Sequence, residues 1–266
     1  MLTDPADAAL AVHLATRGMD VVLSHLADSA PKYAKAGHDF ATAADLAAET
    51  AIREALLLAR PDDAMIGEEL GAFGGSTDRT WLVDPLCGTR NFASGTHVFC
   101  VNVALRERGS VRVAAVAEPA ARRVVWTDGF GGHERPADGA DRRVAPASDS
   151  RIVELNADGP GDRTGPLLVA DADFRAWMTP RVSASTVALA WVATGQRAAY
   201  VSDGNLLDSV HFAAGIALCV GAGCVVTDLD GQSFTTGAGL AISADARTHE
   251  SLVAHIARVR SGLSPS

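Results

Sequence analysis

Along the first sixty positions the apolar residues recur at helical spacing, and after that the texture changes. Ala8, Leu10, Val12 and Leu14, then Val21, Val22, Leu23 and Leu26, form one apolar stripe, with Asp4 or Thr3 before it as the N-cap. The segment SAPKYAKAGHDF interrupts the stripe with Pro31 and Gly37. A second helix is predicted in TAADLAAETAIREALLLARPDD, where Leu46, Ala47, Ile52, Leu56 and Leu57 return at helical spacing and Pro61 ends it.

Beyond Pro61 the apolar runs shorten. AMIGEELG and TWLVDPLCGT stop at carboxylates, and FCVNVALRER, SVRVAAVAEPA and RRVVWTDGF read as strands of an antiparallel meander. Residues 129–150, GFGGHERPADGADRRVAPASDS, are rich in Gly, Pro and Asp and read as a hairpin loop or linker. That places a sub-domain boundary near residue 140, between an N-terminal α+β part (1–140) and a C-terminal α/β part (141–266) of a single domain. In the second part RIVELNA, PLLVADA and RAAYVSD read as strands. SASTVALAWVATGQ reads as a helix stopped by Gly195, and FAAGIALCVGAG as a buried helix of small residues. CVVTDLDGQSF is a strand running into an Asp-Gly turn, and DARTHESLVAHIARVRSG a closing helix. Helices interleaved with mixed strands indicate α/β or α+β layers rather than a barrel or bundle.

Composition narrows the function classes. The 266 residues are 48% hydrophobic and 21% charged, enough for a sizeable core, and the formal charge is −9. With a pI near 5.3 and no run of Lys or Arg, no nucleic-acid partner and no anionic membrane partner is expected. No apolar run approaches the ~18 residues of a membrane span, and the N-terminus lacks the basic start of a signal peptide. Cys87, Cys100, Cys219 and Cys224 show no paired spacing, so a reduced, cytoplasmic protein is expected.

Three acidic positions punctuate element ends: Asp45, the pair Glu68-Glu69, and Asp84. Hard cations such as Mg²⁺ take oxygen ligands, usually one or two carboxylates with water and substrate phosphate. Asp84-Pro85 fixes a turn after which the Leu86 carbonyl and the Thr89 hydroxyl can face the same centre as the Asp84 side chain. Taken singly, each of these groups is equally a cap or a turn on a solvated rim.

Together they resemble the inositol monophosphatase superfamily of metal-dependent sugar and polyol phosphatases. ATAADLAAE is similar to its early Thr-Asp-Glu segment, IGEE to its Gly-Glu-Glu, and WLVDPLCGTRNF to its Asp-Pro-Ile-Asp-Gly-Thr-x-Asn-Phe. VATGQRAAY and VHFAAG with GAGCVVTDLDG resemble its C-terminal half, in the family's order. The resemblance implies a layered αβαβα sandwich, a homodimer, and phosphate monoester hydrolysis by a water that Glu68 and Thr89 orient. Glu68, Asp84 and the Leu86 carbonyl would hold a first Mg²⁺, with Asp45 steadying the arrangement from behind. Gly88, Thr89, Arg90 and Asp208 would meet a small phosphorylated substrate, and Ser183, Ser185, Ser202 and Asp203 lie where relatives contact the polyol.

Two positions depart from the pattern. Cys87 stands where the second motif carboxylate belongs, and His211 replaces the C-terminal one; both serve the family's second metal. Two divalent ions about 4 Å apart repel by roughly 15–20 kcal/mol at an effective dielectric near 20, and clustered carboxylates normally offset that. With two of them gone, one Mg²⁺ rather than two or three is expected. Glu68, Asp84, Cys87 and His211 also make a mixed O/S/N set that suits Zn²⁺ or Fe²⁺. The expected function is a phosphatase-like hydrolase of a small sugar or polyol phosphate with an altered second-metal site. The alternative is a relative that binds a ligand or partner, or runs another reaction with Cys87 as nucleophile and His211 as base. His211 is open to further local readings: it hydrogen-bonds Asp208 or lines a pocket, or Asp208 swings in as a replacement ligand.

Overall fold

The computed structural model describes residues 4–26, 32–34, 40–75, 78–158, 161 and 163–262. Helices α1 (Pro5–Ser24) and α2 (Ala43–Ala59) flank a ribbon of β1 (Lys32–Ala34) and β2 (Phe40–Thr42). Strands β3 (Ala64–Gly67), β4 (Ala72–Gly74) and β5 (Arg79–Cys87) lead to the short α3 (Thr89–Ala93). Then come β6 (Cys100–Glu107), β7 (Ser110–Glu118), β8 (Arg123–Thr127), β9 (Gly132–Pro136) and β10 (Arg142–Val144). The C-terminal half begins with β11 (Ile152–Leu155), α4 (Thr164–Ala170), α5 (Ala172–Trp177), β12 (Thr179–Val182) and α6 (Val187–Ala193). It ends with β13 (Ala199–Ser202), α7 (Ala213–Ala222), β14 (Val225–Thr227), β15 (Leu240–Ser243) and α8 (Ala246–Ser261).

Period-2 alternation along the strands builds the layers. In β5 and β6, Trp81, Val83 and Val103 face α1 and α2, while Leu82 and Ala104 between them face α6 and α7. In β13 and β15, Tyr200 and Ile242 face α6 and α7, while Val201 and Ala241 face α4, α5 and α8. Helix pair, eight-stranded sheet, helix pair, five-stranded sheet and outer helices therefore stack as a layered αβαβα sandwich. The expected meander is β6 to β8; β5 pairs antiparallel with β6 at one side of it, and β3 adds parallel to β5.

Asp4 is the N-cap of α1, accepting the Ala6 N–H at 2.9 Å, with Pro5 in the first turn. Thr3, Pro31 and Gly37 lie outside the described residues. Gly195, at φ 77°, follows the end of α6 as the sequence predicts. At the far end of β5, Arg79 binds buried Asp7 at 2.8 Å and Asp63 at 3.1 Å, and Trp81 donates to Asp63 at 2.9 Å. These bonds tie the first helix to the sheet.

Two expectations need correction. PLLVADA is not a strand: residues 164–170 form α4, burying Thr164, Gly165 and Leu168 on one face. Residues 129–150 are not only a loop: β9 and β10 extend the large sheet, and the chain leaves it after Val144 rather than at 140.

Close packing around α1 yields a stability test. A Cβ on Gly18 would stand 2.8 Å from the Ile52 side chain and 2.9 Å from that of Val101. Overpacking of this kind costs roughly 1–3 kcal/mol. Gly18→Val should therefore lower the midpoint of urea unfolding with little change in its slope.

Candidate active site

The site starts from a defect in the β5–β6 ladder. Asp84 pairs with Asn102 and Cys87 with Cys100, so Pro85 and Leu86 bulge against a single residue of β6. Pro85 has no N–H to donate to the ladder, which is why the strand bends there. The Leu86 N–H donates to Asp84 Oδ1 at 3.1 Å, and its carbonyl lies 3.1 Å from Thr89 Oγ1. Gly88 then turns the chain at φ 103°, where a Cβ would meet the Val98 carbonyl at 2.8 Å.

Helix α2 supplies the layer beneath. Asp45 is fully buried and accepts the Thr42 N–H at 2.8 Å, the Thr42 hydroxyl and the Thr89 hydroxyl at 3.1 Å. Burial pushes its carboxyl above the usual range, and these donors offset only part of that rise. One turn on, Glu49 accepts the N–H groups of Glu69 and Leu70 at 2.7 and 2.9 Å. A Cβ at Gly67 would collide with the Glu49 carboxylate, so Gly67 of IGEE is small for a packing reason. Glu49 thus holds the loop that carries Glu68. Sequence reading missed it, although Asp45 and Glu49 stand at i, i+4, which puts both on one helix face.

The two departures from the family pattern meet Asp84. His211 Nδ1 lies 2.7 Å from Asp84 Oδ2 and 3.8 Å from Glu68 Oε2. One donor atom each from Asp84, Cys87 and His211 lies within 4.8 Å of the others. Burial opposes charge on the ring, but the Asp84 and Cys87 side chains outweigh it and raise the His211 pKa to about 11. The neighbouring Cys100 thiol, burial and the Asp84 charge push the Cys87 thiol well above its ordinary value, against a smaller pull from His211. Cys87 Sγ accepts from Thr186 Oγ1 at 3.0 Å and Thr186 N at 3.4 Å. Asn102 Nδ2 fixes both partners, donating to Thr186 Oγ1 at 2.8 Å and to the His211 carbonyl at 3.2 Å.

These groups line a cleft of about 280 Å³ between the two sheets. Glu68, Asp84, Leu86, Cys87, Gly88, Thr89, Arg90 and His211 all reach it, and Asp45 sits behind Thr89. Asn156, Asp158 and Thr186 also line it and were not found from sequence. Ser185 lines it and donates to the Cys87 carbonyl at 2.9 Å. Ser202 and Asp203 serve structure instead: Ser202 accepts from Asn156, and Asp203 accepts the Thr164 N–H at 2.8 Å. Asp208 is a correction. It is 69% exposed, adopts φ 56° and pairs with Arg106 at 2.8 Å, so it neither binds His211 nor faces the cleft.

The donor set fits one hard cation. Carboxylates from separate elements, Glu68 and Asp84, come within reach of the same imidazole nitrogen, so they also reach one ion, and the Leu86 carbonyl adds a third oxygen.

Comparison with known proteins identifies the family and the fold. The chain belongs to the inositol monophosphatase family, whose model matches residues 6–261. It is 33% identical over 206 residues to an inositol-1-monophosphatase of Caulobacter vibrioides, covering 74% of this chain and 78% of that protein. It is 39% identical over 116 residues to a histidinol-phosphatase of Mycobacterium tuberculosis, 44% of each chain. Its fold matches the solved structure of a Thermotoga maritima IMPase with TM-score 0.80 at 22% identity, over 95% of this chain and 97% of that one.

In the metal-free protein the His211 ring should stay charged well past neutrality, which NMR of the imidazole reads directly. Asp84→Asn should move its titration back toward 6.5. The sign for folding follows. A folded-state pKa of about 11 above an unfolded value of 6.5 gives stability that is complete below pH 6.5 and fades as pH rises toward 11. Denaturation of the wild type against His211→Gln across that window measures it.

Proposed function

We propose that the protein hydrolyses a small sugar or polyol phosphate monoester, using one divalent cation in this cleft. The observation that carries the reading is the convergence of Glu68 and Asp84 beside a Thr89 hydroxyl that buried Asp45 holds. A water between Glu68 and Thr89 would donate a proton to the Glu68 carboxylate and turn a lone pair toward phosphorus. The Thr89 hydroxyl has one proton; given to Asp45, it leaves the oxygen free to accept from that water. Thr42, bonding the other Asp45 oxygen, keeps this direction fixed. Glu68, Asp84 and the Leu86 carbonyl would hold Mg²⁺, which when bound neutralises phosphate charge and polarises the P–O bond. Arg90 stands at the mouth for the anion, with Asn156, Asp158 and Ser185 available to substrate hydroxyls.

His211 competes with the ion for Asp84, so affinity for Mg²⁺ is low and only one ion binds. A second reading, binding without turnover, rests on that same contact, since His211 already satisfies Asp84. The geometry disfavours Cys87 as a nucleophile with His211 as its base. The ring is engaged by Asp84 in its charged form, and the thiol is held protonated. Among the described residues no helix is long and apolar enough to cross a membrane. Free thiols support a cytoplasmic setting, the charge of −9 argues against nucleic acid, and the family resemblance supports a homodimer.

The test is phosphate release from a panel of sugar, inositol and histidinol phosphates with added Mg²⁺. Turnover that requires the ion is expected, and Glu68→Gln should lower kcat by about 10²–10⁴-fold. The double change Cys87→Asp with His211→Asp should raise turnover roughly tenfold or more, equivalent to about 1.4 kcal/mol of barrier. No release by either the wild type or the double variant overturns the reading.

A further inference from the structure

We propose that Asp84, Cys87 and His211 form a binding site for a thiophilic divalent ion, zinc first among them. The site shares Asp84 with the hard-ion position described above. The three donor atoms already lie within 4.8 Å of one another. Zinc with bonds of about 2.0–2.3 Å places tetrahedral ligands roughly 3.3–3.8 Å apart. The Asp84–His211 contact of 2.7 Å therefore needs only a small opening to admit the ion. One carboxylate, one thiolate and one neutral imidazole bring two negative charges to a doubly charged ion. Magnesium gains nothing from sulfur or nitrogen, whereas zinc and ferrous iron prefer them to an all-oxygen set.

The surroundings are built for that ligation. Two donors from Thr186 point at Cys87 Sγ, at 3.0 and 3.4 Å, and donors of this kind orient and stabilise a metal thiolate. Asn102 bonds Thr186 Oγ1 and the His211 carbonyl, so a single buried amide sets the positions of both non-carboxylate ligands. Ser185 holds the Cys87 carbonyl from the other side at 2.9 Å. All three side chains line the cleft, where Glu68 Oε2 lies 3.8 Å from the ring nitrogen, so a bound ion would have its remaining place open to the cleft. Three protein ligands and one open place is the pattern of a zinc ion that meets substrate rather than one that only staples a fold. Binding sends the proton on Sγ and the proton on the ring to solvent, and nothing is oxidised or reduced.

Cobalt supplies the test, because a cobalt–thiolate bond is visible. The full chain, stripped with chelator and kept reduced because Cys87 and Cys100 are cross-strand neighbours, is titrated with Co²⁺. One equivalent should give a sulfur-to-cobalt charge-transfer band in the near ultraviolet together with the visible bands of a tetrahedral ion. One equivalent of Zn²⁺ should abolish both, while excess Mg²⁺ leaves them. Cys87→Ser should lose the ultraviolet band and Cys100→Ser should keep it, with thermal unfolding of each variant confirming that it folds. Absence of the band in folded wild type, its survival in Cys87→Ser, or displacement by Mg²⁺ would overturn the site. This inference rests on the cleft proposed above for hydrolysis but not on turnover. Phosphate release with Mg²⁺ and no cobalt–thiolate band sinks the zinc site alone; the band, with no release from either the wild type or the double variant, upholds the site and sinks the hydrolase reading.

Discussion

A carboxylate with no exposure to water must be compensated from within, and Asp84, like Asp45 and Glu49 beneath it, is such a carboxylate. Its first oxygen takes the Leu86 N–H, a donor that points inward only because the Pro85 bulge removes it from the ladder. Its second oxygen takes His211, which lies 127 residues later beside the helix packed between the two sheets. The bulge, the left-handed Gly88 and the meeting of the two sheets all serve to place and satisfy this one group. The resemblance to the family implies carboxylates and cations around the same position. This chain sets a protonated ring there, so Asp84 is satisfied before any ion arrives.

The acids around Asp84 are compensated in the same way. Burial raises Asp45 and Glu49, and the charges of Glu69 and Asp84 raise Glu49 further. Donors answer much of this: Thr42 and Thr89 at Asp45, and two backbone N–H groups at Glu49. Glu68 reaches the cleft, where its Oε2 lies 3.8 Å from the His211 nitrogen that approaches Asp84 at 2.7 Å. Arg90 lines the same cleft.

Long periodic segments were readable without coordinates, because helices such as α1, α2 and α8 repeat their apolar signal over many turns. The meander from β6 to β8 was readable because its β-rich runs are separated by turn residues. PLLV misled because four apolar residues in a row carry no period; only the buried positions Thr164 and Leu168, four apart, reveal a helix. Residues 129–150 misled differently. An edge hairpin needs no apolar alternation, and this one is held by Arg135–Asp141 at 2.6 Å and Arg142–Glu134 at 3.1 Å. In the site, Asp45, Glu68, Asp84, Leu86 and Thr89 were legible because they sit in contiguous motifs. Asn102, Thr186 and Glu49 act through tertiary contacts, and Asp208 was misassigned because its left-handed backbone carries it out to Arg106.

Cys87 and His211 are best understood as one exchange rather than two losses. With aspartate at 211 and cysteine at 87, a second buried carboxylate would face Asp84 with no ring to neutralise either. With aspartate at 87 and histidine at 211, the ring would be shared between two carboxylates and held still more firmly in its charged form, closed to any ion. Each replacement removes negative charge from beside Asp84, and residues in direct contact couple in this way. The ring donates to Asp84, the sulfur receives Thr186, and Asn102 ties the two together. That continuity of bonds across both replaced positions is what a reshaped site shows. Decay of an unused one gives no reason for a donor to be aimed at the new sulfur.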